Sequence, residues 1–151
     1  MSETAIALNR FGLGARTDQA APERPKAWLL GQFARYEASP AAWAGLPSTS
    51  AIAQGYATDR QQQMSAADEA KAMARTRMRQ ENRYLYRDAV NARMASALVT
   101  SAPFVERLVH FWANHFAVSA DKQVVIPFAG AFEAEAIRPH VLGRFEDMLL
   151  A

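Results

Sequence analysis

The segment 104–116 constrains the fold most, because large apolar side chains are denser there than anywhere else in the sequence. They are Phe104, Val105, Leu108, Val109, Phe111, Trp112 and Phe116. Pro103 precedes the segment and suits the first turn of a helix, where a missing backbone N–H has no cost. A helix that is apolar over so wide an arc has to be covered on most sides. The segment therefore predicts the central helix of a bundle.

The polar residues of this helix fall at a spacing of four, which places them on one side. Glu106, His110 and Asn114 form that row, and we expect it to be exposed to solvent. His115 falls opposite Glu106, within the apolar arc. A helical wheel of this segment therefore predicts that Trp112 and His115 are buried and that His110 is exposed. The simplest interpretation of His115 is a core histidine whose ring nitrogen is hydrogen bonded.

The rest of the sequence also favours helices. Half of the 151 residues are hydrophobic, and no segment alternates apolar and polar residues as a strand would. We therefore expect an all-α fold: a single helical domain over residues 1–151, arranged as an irregular bundle with one long helix. Residues 38–50 carry prolines, a glycine and serines, which predicts an irregular connection. Pro139 predicts a kink or break near Arg138.

The long helix is predicted over residues 60–99, which contain neither glycine nor proline. Unbroken, it would measure about 55–60 Å, against roughly 38 Å for a compact domain of this size. We therefore expect the helix either to break or to project beyond the core. In its second half we expect packing, because apolar residues form two rows at helical spacing: Leu85, Ala89, Ala92 and Val99 in one, and Tyr86, Val90, Met94 and Ala97 in the other.

The first half of the long helix is basic. Lys71, Arg75, Arg79, Arg83 and Arg87 recur every four residues, and we call this row the basic ladder. Residues 71–93 hold seven basic and two acidic side chains, whereas the net charge of the whole sequence is only +2. Such a face is solvated or meets an acidic partner. Nucleic acid is not favoured, because few aromatic residues are available for stacking on bases.

Several classes of protein are excluded or disfavoured. There is no cysteine, which rules out disulfides, thiol catalysis and cysteine-bound metals. No segment approaches the ~18 apolar residues of a membrane span, and the N-terminus lacks the features of a signal peptide. We therefore expect no membrane partner and a cytoplasmic protein. We also expect no cofactor, since the pair Gly12 and Gly14 lacks the strand and third glycine of a dinucleotide-binding motif.

Three segments together resemble one bacterial family, which is catalogued as domain of unknown function 1800. They are residues 9–15, 111–116 and 137–150, and the more specific motifs are Phe-Trp-x-Asn-His-Phe and Arg-x-His-x-x-Gly-x-Phe. The matched positions are Trp112, Asn114, His115, Arg138, His140, Gly143 and Phe145. The resemblance implies an α-helical fold and the N-terminal part of a longer protein. It implies no reaction.

The residues that could carry chemistry are few. The catalytic candidates are His115, Asn114 and His140. The weak candidates for metal ligands are His115, Glu133, Glu135 and His140. Metal-binding bundles use Glu-x-x-His pairs, which this sequence lacks, so we expect no tightly held metal.

Two functional hypotheses remain open. The first is a helical structural or interaction module. The second is the N-terminal part of an enzyme, such as a metal-dependent hydrolase, with a site completed by residues beyond 151. Phe145, Met148 and Leu149 form an apolar stripe that stops with the sequence. We therefore expect a fragment of a longer protein that self-associates as a dimer or docks onto the remainder of its own chain.

Overall fold

A computed structural model describes residues 2–14, 20–64, 67–119 and 121–151, and every regular element in these ranges is helical. The helices are α1 (Glu3–Phe11), α2 (Pro25–Arg35), α3 (Thr49–Met64), α4 (Asp68–Val99), α5 (Pro103–His115), α6 (Phe128–Phe132) and α7 (Phe145–Leu150). A 3-10 turn at Ala41–Trp43 precedes α3, and a π-helical turn at Glu133–Ile137 continues α6. None of these helices is long and apolar enough to cross a membrane. The predicted all-α fold is confirmed.

Helix α5 lies at the core, as predicted. Pro103 occupies its first turn, and the buried Gln32 of α2 accepts a hydrogen bond from the Phe104 N–H at 2.6 Å. The buried apolar cluster consists of Ala102, Val105, Val109, Ile137 and Val141. However, the cover over α5 is incomplete, because Phe111 remains 57% exposed. The helix is packed on one side, against α1, α2 and the π turn.

The long helical region divides and also projects. Helix α3 ends at Met64 and α4 begins at Asp68, and residues 65 and 66 lie outside the described part. Helix α4 has 32 residues, which corresponds to about 48 Å. None of the described residues between 57 and 81 is buried. The first half of α4 therefore extends beyond the core, side by side with α3.

The second half of α4 packs through small residues. Its buried face consists of Asn82, Ala89, Ala92 and Ser96. A Cβ atom added at Gly130 of α6 would overlap with the Cβ of Ala89, so the two helices approach closely only because residue 130 is glycine. The predicted packing of Tyr86, Val90 and Met94 is wrong: all three are exposed. The close approach uses the small residues on the opposite side of the helix.

The predicted break at Pro139 is present as the π turn. The Arg138 N–H bonds to the carbonyl oxygen of Glu133 at 2.9 Å, five residues earlier, and Pro139 has no N–H to continue the helix. Both Glu133 and Arg138 are buried. The π turn thus places an acidic and a basic side chain inside the molecule.

The last helix, α7, is only partly packed. Met148 is buried, while Phe145 and Leu149 are about half exposed. The ring centroid of Phe145 lies 5.3 Å from that of Trp112. Part of the C-terminal apolar stripe is therefore used within the chain.

Candidate functional site

The chain buries three charged side chains against one another. Glu106 of α5, Glu133 and Arg138 are 1%, 2% and 0% exposed. Arg138 donates to both carboxylate oxygens of Glu106, with Nη1 at 3.2 Å from Oε2, and its Nε lies 3.2 Å from Oε1 of Glu133. Such bidentate, charge-assisted hydrogen bonds are the strong ones in proteins. Arg138 therefore connects α5 to the π turn.

A second arginine balances the charge. Arg93 of α4 donates from Nε to Oε2 of Glu133 at 2.7 Å, and its Nη2 contacts the same oxygen. We call Arg93, Glu106, Glu133 and Arg138 the buried charge cluster. Its formal charge is zero, as expected because an unpaired buried charge is strongly destabilising. The cluster joins α4 and α5, which are consecutive in the sequence, to the π turn, whose Glu133 lies 40 residues after Arg93.

Aromatic side chains surround the cluster. The Cζ of Arg138 lies 4.6 Å from the ring centroid of Trp43, whose Nε1 donates to the Ser96 hydroxyl at 2.8 Å. The Tyr36 hydroxyl donates to the carbonyl oxygen of Arg138 at 3.0 Å. Burial raises the pKa of Tyr36 to about 12, so this phenol stays protonated near neutral pH. These contacts anchor the connection before α3 onto α4 and the π turn.

His110 borders the cluster without joining it. Its Nε2 is buried, has no hydrogen-bond partner among the described residues, and lies 3.7 Å from Oε1 of Glu106. Burial lowers the pKa of His110 below its usual 6.5, although the nearby Glu106 acts in the opposite direction. His110 is therefore neutral near pH 7.

The predicted orientation of α5 is wrong. Glu106 is fully buried rather than exposed, and His110 is more buried than His115, which lies at the surface. Trp112 is half-buried. The spacing of residues along α5 predicted a solvated Glu106 because its partner, Arg138, lies 32 residues later in the sequence. His115 instead stacks on Phe111, with ring centroids 6.1 Å apart.

A cavity of about 180 Å³ lies beside the buried charge cluster, between α4, the end of α5 and α6. Arg93 and Glu133 form its charged side, and Asn114 contributes an amide. The remaining lining residues are mainly aromatic or aliphatic: Trp43, Tyr86, Ala89, Val90, Ala113, Phe116, Ala117, Val118, Ala129, Gly130, Phe132 and Ile137. We call this space the α4–α5 cavity.

The structure separates the residues proposed as metal ligands. Glu133 is in the buried charge cluster, and Glu135 is exposed, with Oε1 accepting a hydrogen bond from the Thr49 N–H at 2.9 Å. His115 is exposed and His140 is half-buried. Across the described ranges, no three histidine, aspartate or glutamate side chains lie close enough to hold a metal ion. Of the catalytic candidates, only Asn114 lines the cavity.

Sequence reasoning missed Arg93, Glu106 and Trp43 as site residues. One signal was available for Glu106: two apolar residues, Ala102 at the N-cap of α5 and Val109 within it, lie four positions before and three after it, on the same side of the helix. Arg93 carried no comparable signal within the basic segment of α4.

Comparison with known proteins identifies a family but no function. A family model described as "Protein of unknown function (DUF1800)" matches residues 6–151. This match confirms the resemblance carried by the aromatic and Arg-x-His motifs. No curated protein and no solved structure matches the chain.

Proposed function

We propose that this chain, which belongs to the family described as a protein of unknown function (DUF1800), is a helical interaction module that pairs with a second copy of itself. The observation that carries the proposal is one exposed face of α4, basic along its first half and apolar along its second. Contiguous exposed apolar surface of this kind commonly marks an interface.

Tyr86, Val90, Met94 and Leu98 make up the apolar part of this face, and we call them the apolar line. They are 42–62% exposed. At ~100° per residue, Arg79, Arg83 and Arg87 project from the same side of the helix as the apolar line. These charges and the apolar side chains therefore share one face of α4.

The spacing of the apolar line is self-complementary in an antiparallel pair. When two α4 helices cross near residue 92, Tyr86 lies opposite Leu98 of the second copy. In the same register, Val90 lies opposite Met94 of the second copy. A two-fold axis requires such reciprocal contacts.

The basic ladder favours the antiparallel arrangement over a parallel one. In this register the two Arg87 residues are separated by about 15 Å along the axis, given 1.5 Å per residue. The Debye length is about 8 Å at physiological ionic strength, so their repulsion is largely screened. A parallel pair would instead place like charges side by side.

The apolar line supports a dimer of moderate strength. Complete burial of a large apolar side chain contributes about 2.5 kcal/mol. Since about half of each of the four side chains is exposed, two copies together gain about 10 kcal/mol. Association costs at least about 4 kcal/mol. At most ~6 kcal/mol therefore remains, which corresponds to a Kd of tens of micromolar at the tightest.

Sedimentation velocity from 1 µM to 1 mM, roughly tenfold steps around that Kd, tests the proposal. We expect a monomer–dimer equilibrium. Met94→Glu should raise the Kd of the dimer at least about 100-fold, because dimerisation would then bury like charges beside an apolar partner. The matched control is Met73→Glu, at an exposed methionine of α4 outside the apolar line. Added salt should strengthen the dimer. A chain that stays monomeric at 1 mM, or a Met94→Glu variant that dimerises normally, contradicts the proposal.

A further inference from the structure

We infer that the α4–α5 cavity binds a small, planar, uncharged molecule that presents a carbonyl oxygen to the guanidinium group of Arg93. The inference does not rest on the pairing of α4, although the two share part of one face: Tyr86 and Val90 belong both to the apolar line and to the cavity lining, whereas Met94 and Leu98 do not line the cavity.

The first argument is the donor that Arg93 leaves unused. Its Nε and Nη2 both point to Glu133, whereas no acceptor among the described residues contacts Nη1. A guanidinium group carries five N–H donors in a fixed plane. Arg93 is 35% exposed and lines the cavity, so its free donors are accessible from that space.

The second argument is charge. Glu133 already receives hydrogen bonds from Arg93 and Arg138, and the buried charge cluster is neutral. A carboxylate ligand at Arg93 would add another anion next to Glu133 and would give this neutral group of side chains a net charge of −1. A neutral carbonyl oxygen accepts the same hydrogen bond without disturbing that balance.

The third argument is the shape and lining of the cavity. Phe116 and Phe132 offer ring surfaces, and Val90 and Ile137 offer aliphatic ones. A cavity of about 180 Å³ is slightly larger than an apolar cavity of ~150 Å³ that holds benzene. One six-membered ring with one substituent therefore fits, and the amide of Asn114 can contact that substituent.

The test uses benzamide as the probe and NMR of the tryptophan indole N–H signals as the readout. Trp43 lines the cavity, whereas Trp28 and Trp112 do not. We expect a saturable shift of the Trp43 indole signal with a Kd of about 1 mM, as a ligand of nine heavy atoms allows. Benzoate should bind at least about tenfold more weakly.

Two alanine-to-phenylalanine variants test whether benzamide binds in the α4–α5 cavity. Ala117→Phe fills the cavity from an exposed position and should abolish the benzamide shift. Ala95→Phe, at an exposed position of α4 outside the cavity, should leave it unchanged. Repeating the titration on Met94→Glu separates ligand binding from dimer formation. A shift that does not saturate, survives Ala117→Phe, or is matched by benzoate would overturn the inference.

Discussion

Arg138→Met should be strongly destabilising, and a second substitution should reverse part of the loss. The single variant leaves Glu106 buried without its arginine, while Glu133 keeps Arg93. The formal charge of the buried charge cluster then falls from zero to −1. In the double variant Glu106→Leu with Arg138→Met, only Glu133 and Arg93 remain, and the charge returns to zero.

The magnitudes follow from burial. Breaking a buried ion pair by removing one partner costs about 3–5 kcal/mol, since an uncompensated charge remains in the interior. Replacing both partners by apolar residues is often close to neutral. The double variant should therefore be more stable than Arg138→Met alone by up to about 3–5 kcal/mol, although it carries one more substitution. That difference is large against a total stability of about 5–15 kcal/mol.

Urea unfolding followed by circular dichroism measures these differences, with the midpoint and slope fitted for each variant. Arg144→Met is the control, because Arg144 pairs with Glu146 at the surface and its loss should change stability by no more than about 0.5 kcal/mol. If Arg138→Met costs less than about 1 kcal/mol, or if the costs of Glu106→Leu and Arg138→Met simply add, the buried charge cluster does not hold the fold in the way described.

Two further perturbations address the surroundings of the cluster. Burial lowers the pKa of His110 below 6.5, so as the pH falls the unfolded chain binds a proton at this histidine before the folded chain does. The contribution of the neutral His110 to stability is therefore complete above pH 6.5. It declines as the pH falls toward the folded-state pKa, by at most about 1.4 kcal/mol per pH unit. His110→Gln should flatten this part of a urea-midpoint profile, and an unchanged profile would contradict the assignment. Gly130→Ala should destabilise the chain by about 1–3 kcal/mol through overlap with Ala89. Adding Ala89→Gly should recover most of that loss in the same urea assay, and no recovery would mean that this close approach is not the cause.

The helices could be predicted from the sequence because their signals are local. Pro103 marks the start of α5, and the absence of glycine and proline identifies the α4 region. The break at Pro139 was predicted for the same reason, since proline removes one backbone donor wherever it occurs. These features depend on neighbouring residues alone.

The buried face of each helix was harder to predict. Glu106 belongs inside only because the π turn brings Arg138 to it from 32 residues away. Helix α4 buries Asn82 and Ser96 and exposes Val90 and Met94, since its small residues allow close packing on Gly130. A hydrophobicity pattern ranks side chains by polarity, so it does not indicate where two helices pack closely through small residues. The α4–α5 cavity depends on the same packing and could not be predicted either.

The antiparallel pairing of α4 can be measured directly by disulfide cross-linking, because the natural chain contains no cysteine. Val90→Cys and Met94→Cys chains, distinguished by mass and mixed in equal amounts, are oxidised gently and their dimers counted. In the antiparallel register, we expect more dimers cross-linked between position 90 of one chain and position 94 of the other than dimers cross-linked between two positions 90 or between two positions 94. Met73→Cys should cross-link only at the background level. Homodimers at 94 that dominate the mixture, or cross-linking no greater than the Met73→Cys background, would contradict it.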